Sequence, residues 1–113
     1  MLPLASITFA AADPQKLAVF WAEATGRKIE TSEPYFALLG ANASGARMLF
    51  PKVPEGKSVK NRMHVDFRAR DREAEVARLV GLGATRGETY DEHGINWTVV
   101  QDPEGNEFCV AQA

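Results

Sequence analysis

Apolar residues recur along this chain with two periodicities, one typical of strands and one typical of helices, and the same order of strand-like and helix-like stretches occurs twice. Strand-like alternation at every second residue starts near Ile7 and starts again near Val65. After each of these stretches come apolar residues at helical spacing, and then three short strand-like stretches separated by turn residues. The pattern predicts one domain built from two tandem β-α-β-β-β modules, residues 1–56 and 57–113.

The first module begins with a predicted strand over residues 4–10. A helix should follow, because Asp13 is a good N-cap, Pro14 suits the first helical position and Gly26 can end the helix. Leu17, Phe20, Trp21 and Ala24 then form its apolar stripe. The remaining strands of this module are predicted over residues 27–31, 35–40 and 47–52.

The second module repeats this order, with a predicted strand over residues 62–68 and a helix that starts after Asp71 and ends around residues 81–83. The charged residues of this helix are expected to form a solvated face; they are Arg72, Glu73, Glu75 and Arg78. A loop over residues 90–94 and a tight Asp-Pro-Glu-Gly turn at residues 102–105 separate the later strands. Those strands are predicted over residues 84–88, 95–101 and 106–111.

A constant offset relates the two modules. His64 lies 58 positions after Ser6, and the same offset relates Phe108-Cys109 to Phe50-Pro51. We therefore expect residues 6, 51, 64 and 109 to occupy equivalent places in the two modules.

The two faces of the predicted strands differ in polarity. One parity is entirely apolar and should carry the helices; it contains Ile7, Phe9, Met48, Phe50, Val65, Phe67, Phe108 and Val110. The other parity is largely polar; it contains Ser6, Thr8, Leu49, Pro51, His64, Asp66, Arg68, Glu107 and Cys109. This pattern predicts an α+β domain in which one open, curved, eight-stranded sheet presents a concave small-molecule pocket.

Composition narrows the classes of partner. A formal net charge of −2, with charged residues at 25%, gives no basic field for nucleic acid or an anionic membrane surface. The single cysteine cannot form an internal disulfide and suits a reducing compartment. The N-terminal stretch lacks the positive region of a signal peptide, and no apolar run approaches the roughly 18 residues of a membrane span. We therefore expect a cytoplasmic protein with a small-molecule partner.

Three motifs carry a resemblance to a known family. They are the Asp-Pro helix start at residues 13–14 with Phe-Trp at residues 20–21, the run Lys-Asn-Arg-Met-His-Val-Asp at residues 60–66, and Asp-Pro-Glu-Gly-Asn-Glu-Phe at residues 102–108. With the paired modules, they resemble the glyoxalase/bleomycin-resistance/dioxygenase superfamily, also called vicinal oxygen chelate proteins. The chain is most similar to its small glyoxalase-like domain proteins, and the resemblance covers nearly all of it.

The resemblance implies a test for a metal site. Metal-dependent members bind a divalent ion through the first and last strands of each module, and the corresponding residues here would be Ser6, Pro51, His64 and Cys109. Proline offers no ligand and serine is a poor one, so two residues remain where a catalytic zinc site normally has three. Asp66 or Glu107 would have to be recruited, although each lies two residues along its strand. We therefore expect no resident cofactor, with a divalent metal as the disfavoured alternative.

The candidate catalytic residues are His64 and Asp66, because a histidine oriented by a carboxylate can act as a base near neutral pH. The candidate ligand-binding residues are Ser6, Thr8, Glu107, Cys109 and Trp97. Structural alternatives remain for several of these residues. His64 could be a polar residue satisfied by Asp66 or by a backbone carbonyl, and Asp66 could pair with an arginine, Arg62 or Arg68.

Three further side chains also have two interpretations. Cys109 is favoured as a small buried hydrophobic residue over a nucleophile, because nothing in the sequence places a helix N-terminus or a lysine beside it. Core packing is favoured over pocket lining for Trp97. His93 is interpreted as a solvated loop residue, in a loop that could close over the pocket.

These residues predict a ligand-binding protein or a metal-independent enzyme, and the sequence does not decide between the two. The alternatives are a metal-dependent lyase, isomerase or dioxygenase, and a drug-binding protein of the bleomycin-resistance type. Family members often dimerise, so we expect a homodimer, and the connector between the modules leaves exchange of modules between chains open. Residues 81–83, Gly-Leu-Gly, do not form a dinucleotide fingerprint, because they follow a helix rather than a strand.

Overall fold

Two four-stranded mixed sheets, each with one helix, make up the described part of the chain in a computed structural model. The structure describes residues 1, 3–41, 45–57, 59 and 61–113, so Lys60, the first residue of the motif around His64, lies outside it. Two units are separately compact, Met1–Gly56 (unit 1) and Lys57–Ala113 (unit 2). The tandem β-α-β-β-β modules and the α+β class are confirmed. In the described residues the ladders form two sheets rather than the single eight-stranded sheet that we expected.

Unit 1 has the strand order β1-β4-β3-β2. The first and last strands pair in parallel, and the other neighbours are antiparallel. The elements are β1 (Ser6–Thr8), α1 (Pro14–Thr25), β2 (Ile29–Glu33), β3 (Phe36–Leu39) and β4 (Arg47–Pro51).

Unit 2 repeats this topology with the order β5-β8-β7-β6, again with one parallel pair, β5 and β8. The elements are β5 (Val65–Ala69), α2 (Arg72–Gly81), β6 (Thr85–Glu92), β7 (Ile95–Gln101) and β8 (Glu107–Gln112). Neither helix of the described chain is long and apolar enough to cross a membrane.

Both helices begin where the sequence predicts. The Asp13 carboxylate accepts from the backbone N–H of Lys16 at 3.2 Å, and the Asp71 carboxylate accepts from that of Ala74 at 3.1 Å. Each aspartate satisfies a donor that has no partner within its helix. Gly26 ends α1 with a φ of 74°, in the left-handed conformation that glycine adopts without strain.

Aromatic side chains form the centre of unit 1. Trp21 of α1 is 1% exposed and meets Phe9 edge-to-face, with ring centroids 5.2 Å apart. Phe9 contacts Phe50 of β4 in the same geometry at 5.9 Å. These contacts join the helix to the parallel strand pair, because edge-to-face packing matches the positive edge of one ring to the negative face of another.

The helix of unit 2 is anchored partly by a charged residue. Arg72 has a side chain only 13% exposed, and it donates through Nη1 to the hydroxyl of the fully buried Thr98. The solvated face predicted for α2 is therefore wrong for Arg72. Glu73, beside it, is exposed and accepts two hydrogen bonds from Arg86 at 2.7 and 3.0 Å.

Three strand boundaries differ from the predictions in ways that affect side-chain placement. The first strand is shorter, Ser6–Thr8, and β5 begins at Val65, so His64 lies immediately before this strand rather than within it. β6 continues to Glu92, and a two-residue turn follows, with φ of 53° at His93 and 76° at Gly94. Positive φ at both positions is typical of a tight hairpin turn, so the predicted loop over residues 90–94 is wrong.

The parallel pairs of the two units differ in register. Asp66 lies opposite Cys109, whereas Thr8, its counterpart at the constant offset, lies opposite Leu49. The register therefore makes Leu49, not Pro51, the counterpart of Cys109. Because the difference is two residues, each side chain keeps its face of the sheet.

Candidate functional site

A cavity of about 530 Å³ lies on the face of the unit 2 sheet opposite α2. Strand alternation separates it from the core, because Phe108 and Val110 are buried on the helix side while Cys109 projects to the other side. The lining residues are His64, Asp66, Tyr90, Ile95, Trp97, Val99, Glu107, Cys109 and Ala111. Five of the seven predicted site residues therefore lie around one cavity.

His64, Asp66 and Cys109 form a polar cluster at one wall of this cavity. His64 Nδ1 lies 2.8 Å from Asp66 Oδ1 and 3.8 Å from Cys109 Sγ. An ionised carboxylate only accepts hydrogen bonds, so Nδ1 is the donor to Asp66 and Nε2 is the nitrogen that can take up a proton. The histidine and aspartate side chains are 48% and 62% exposed, so both are accessible from the cavity.

The position of His64 just before β5 explains this contact. A residue within the strand would point to the same face as Asp66 but would lie roughly 6.5–7 Å away along it. Outside the ladder, the His64 side chain can approach Asp66 directly. Asp66 thus pairs with His64, which is one of the contacts that the sequence predicts; pairing with Arg62 or Arg68 was the alternative.

The Asp-Pro-Glu-Gly turn positions β8, whose side chains line the cavity. Asp102 is 2% exposed, and its carboxylate accepts from the backbone N–H groups of Glu104 and Asn106, both at 2.9 Å. The amide of Asn106 donates to the same carboxylate at 2.9 Å. A buried carboxylate with several donors fixes the loop, and Gly105, with a φ of 87°, completes the turn. The next strand then presents Glu107 to the cavity.

Trp97 faces the cavity and stacks on Tyr90. The two rings have centroids 5.3 Å apart and planes inclined by 24°, and the two residues are directly opposite in the β6–β7 hairpin. The preference for core packing of Trp97 is therefore wrong. Tyr90 was missed because it was assigned to a loop; had β6 been extended, its pairing with Trp97 would have placed it on this face. Alternation could also have identified Ile95, Val99 and Ala111.

Glu107 stands between this cavity and a second one. Its carboxylate Oε1 lies 3.1 Å from Lys57 Nζ, and both side chains are largely buried, at 14% and 19% exposure. The second cavity, also about 530 Å³, contains Lys57 and Glu88 and shares Tyr90, Val99 and Glu107 with the first. Glu107 therefore lies in the wall common to the two cavities, and Lys57 contacts it from the second cavity.

The other two predicted ligand-binding residues, Ser6 and Thr8, are exposed residues of β1 in unit 1. Their ligand-binding role stays a prediction.

Comparison with known proteins agrees with this architecture. The sequence model of the glyoxalase-like domain family matches residues 6–111 of this chain. The chain is similar to the crystal structure of a glyoxalase/bleomycin resistance protein/dioxygenase family enzyme from Burkholderia phytofirmans PsJN, with 19% identity, a TM-score of 0.78 and coverage of 98% of both chains. No curated protein gives a significant match.

Two further solved structures share the fold. A glyoxalase-related enzyme from Fulvimarina pelagi has 21% identity and a TM-score of 0.79, over 100% of this chain and 89% of that one. The fosfomycin resistance protein from Mesorhizobium loti has 11% identity and a TM-score of 0.76, over 100% of this chain and 93% of that one. Likeness at these identities shows the fold alone, whereas the family model covers nearly the whole chain. The chain therefore belongs to the glyoxalase-like domain family.

Proposed function

We propose that this protein binds a planar small molecule in the cavity of unit 2, as a ligand-binding protein or a metal-independent enzyme. The observation that carries the proposal is the stacked Tyr90–Trp97 pair in the same cavity as the His64–Asp66 pair. Binding sites for small molecules are mostly apolar, with a few polar groups that orient the ligand. Ile95, Val99 and Ala111 supply the apolar wall.

The polar cluster suggests how a bound ligand could react. Asp66 holds the His64 ring by its Nδ1–H, which leaves Nε2 to accept a proton from a ligand hydroxyl or an acidic C–H. The Asp66 carboxylate would stabilise the imidazolium formed by that transfer. Turnover would thus depend on His64, whereas binding would depend mainly on the aromatic pair.

Tryptophan fluorescence tests the binding site directly. The chain has two tryptophans, Trp97 in the cavity and Trp21 in the core of unit 1. Planar aromatic compounds should quench the emission of the wild type but not that of Trp97→Phe, in which Trp21 alone emits. Equal quenching in both proteins, or no ligand found by calorimetry in a broad screen, would contradict the proposed site.

The two histidines provide a matched pair for the polar cluster. His64→Ala should weaken binding of any ligand found, by about tenfold for loss of one hydrogen bond to a polar group. His93→Ala should leave affinity unchanged, because His93 lies in the exposed β6–β7 turn. Calorimetric titration of both variants measures the difference, and equal affinities for the two would remove His64 from the site.

A second candidate function is metal-assisted chemistry, which one observation favours. The ligand atoms of His64, Asp66 and Cys109 all lie within 4.8 Å of one another. One imidazole, one carboxylate and one thiolate fit zinc in donor type and number, and would leave a position open for substrate. A zinc ion bound there would polarise a carbonyl oxygen of the ligand. At the corresponding place within unit 1 the register puts Leu49, which offers no ligand atom.

Elemental analysis separates the two candidates. We expect less than stoichiometric zinc after incubation with the metal and desalting, because the family positions in unit 1 supply no strong ligand. Stoichiometric zinc that is lost in His64→Ala and in Asp66→Asn, but retained in His93→Ala, would establish the metal-dependent alternative instead.

We also propose that the protein is a cytoplasmic homodimer. The single cysteine supports a reducing compartment, and β6 supports association because it is an exposed edge strand of eight residues. Sedimentation equilibrium tests the assembly. A monomer at high protein concentration would contradict the proposal.

A further inference from the structure

The ion pair between Lys57 and Glu107 is placed where a ligand charge could replace one of its partners. Lys57 Nζ also donates to the backbone carbonyl of Val59, so the lysine has an alternative partner when it leaves the carboxylate. Glu107 borders both cavities. A largely buried carboxylate requires a compensating charge, which can come from the protein or from a ligand.

The balance of charge around the two cavities favours a positive ligand. Their described lining residues include three carboxylates, on Asp66, Glu88 and Glu107, and one ammonium group, on Lys57. An anionic ligand would meet an excess of negative charge, and the one ammonium group among these residues is already held by a carboxylate.

The aromatic pair adds a second preference of the same sign. The faces of tryptophan and tyrosine carry negative electrostatic potential and attract cations. Tyr90 borders both cavities and stacks on Trp97, so a ring seated on this pair lies beside Glu107. A planar ring that carries an ammonium or amidinium group would therefore satisfy the apolar wall, the aromatic faces and the carboxylate together.

We propose that unit 2 binds planar aromatic cations in preference to anions. Without ligand, the ammonium group of Lys57 pairs with the Glu107 carboxylate; on binding, the positive group of the ligand displaces it. This inference rests on the proposed function of the cavity and names its ligand class. Lys57 is then an internal competitor, and Glu107 is the residue that determines charge specificity.

A pair of probes with one ring system and opposite charge tests the inference. 1-Naphthylmethylammonium and 1-naphthoate differ mainly in charge, and calorimetry in low-salt buffer measures both affinities. The wild type should bind the cation about tenfold more tightly, as expected for one favourable charge interaction. Lys57→Met should raise the cation affinity several-fold, because the competitor is removed. Lys28→Met, an exposed lysine of unit 1, makes the same change in net charge and should have no effect.

Glu107→Gln supplies the decisive variant. It should abolish the preference for the cation, because the carboxylate is lost and the ammonium group of Lys57 then favours the anion. Adding Lys57→Met to it should weaken binding of the anion without restoring the preference for the cation. Thermal unfolding of each variant, followed by circular dichroism, identifies any that fail to fold; Glu107→Gln alone then still tests the preference.

The outcomes separate this inference from the proposed function. Equal affinity for the two probes, with quenching lost in Trp97→Phe, would overturn the charge selection while the binding site stands. Unchanged or weaker cation binding in Lys57→Met would overturn the displacement of the lysine. Failure of both probes to quench Trp97 at any concentration would overturn the proposed site and this inference with it.

Discussion

In unit 1, the face of the sheet away from α1 presents Ser6 and Thr8 on β1 and Leu49 on β4, whereas the same places in unit 2 hold His64, Asp66 and Cys109. The helix-facing sides are alike, with Phe50 and Phe108 each fully buried. A duplicated module must keep the apolar parity that buries its helix, but the other parity is free to change. In this chain the candidate catalytic residues, His64 and Asp66, and the neighbouring Cys109 all lie in unit 2.

The helices differ in the opposite sense, because the helix of unit 1 buries more residues than the helix of unit 2. α1 buries five residues, including Trp21 and Phe20, whereas α2 buries two, Val76 and Leu79. Unit 1 therefore has the larger aromatic core, and unit 2 combines a smaller core with an accessible cavity. We therefore expect substitutions in the core of unit 1 to lower the unfolding free energy more than substitutions in the cavity of unit 2, and substitutions in that cavity to weaken ligand binding more.

The two tryptophans give the largest test of this comparison. Trp21→Ala should cost about 3–5 kcal/mol of unfolding free energy, because it empties a fully buried site in contact with Phe9 and Phe20. Trp97→Ala should cost only about 1–2 kcal/mol, since its ring is half-buried and loses mainly the stack on Tyr90. Urea denaturation measures both. Equal losses would show that the cavity wall is as important for stability as the core.

Asp102 is the exception expected within unit 2. Asp102→Ala should cost about 2–3 kcal/mol, because it removes a buried acceptor and leaves the donors of Glu104 and Asn106 without it. Ligand binding should weaken as well, because β8 would no longer be held in place. Asp91→Ala, on the exposed strand β6, is the control and should change stability by less than about 0.5 kcal/mol. If both variants behave alike under urea denaturation, the turn does not position the strand.

The helix caps test where the two units should not differ. Asp13→Ala and Asp71→Ala should each cost about 1 kcal/mol, because each removes one carboxylate-to-amide hydrogen bond of similar length. The asparagine variants should restore most of that loss. A much larger effect at one cap, measured by the same denaturation, would mean that its carboxylate has a role beyond starting the helix.

Local chemistry made much of the fold predictable from sequence. Asp13, Asp71 and Gly26 identify helix ends through contacts within a few residues, and the structure has the helices there. Alternation likewise separates Phe108 and Val110 from the side chains that face the cavity. These signals are local, so a single sequence contains them.

Features that depend on distant residues were not predictable in the same way. The two-residue difference between the β1–β4 and β5–β8 registers arises from pairing between strands about 40 residues apart along the chain, which no local pattern specifies. The sequence predicts Arg72 as a surface charge because its partner, Thr98, lies on strand β7, 26 residues away along the chain. Five of the cavity residues can be named from sequence: His64, Asp66, Glu107, Cys109 and Trp97. Placing Tyr90 requires the β6–β7 hairpin to be known, and placing the Lys57–Glu107 pair requires the turn before β8 to be known.

The ion pairs of the two units give the smallest and most specific test. Hydrogen bonding to Arg86 lowers the pKa of Glu73 below its usual value of 4.5. Desolvation opposes this effect, and the charges of Arg86 and then Arg72 lower the pKa further by smaller amounts. A lowered folded-state pKa adds stability that is fully present above the unfolded pKa and is lost as the pH falls through the folded pKa. The stability difference between the wild type and Glu73→Gln should therefore be constant above about pH 6 and should vanish in acid.

Glu30→Gln in unit 1 is the matched variant. Glu30 meets Arg47 through a single contact of 3.7 Å between half-exposed side chains, so its removal should change stability less than removal of the Glu73 carboxylate at neutral pH. Denaturation at a series of pH values measures both differences. Because these groups are exposed, the effect of Glu73 should also shrink in high salt. A Glu73→Gln difference that persists in acid would mean that the side chain stabilises α2 by packing or neutral hydrogen bonds rather than by its charge.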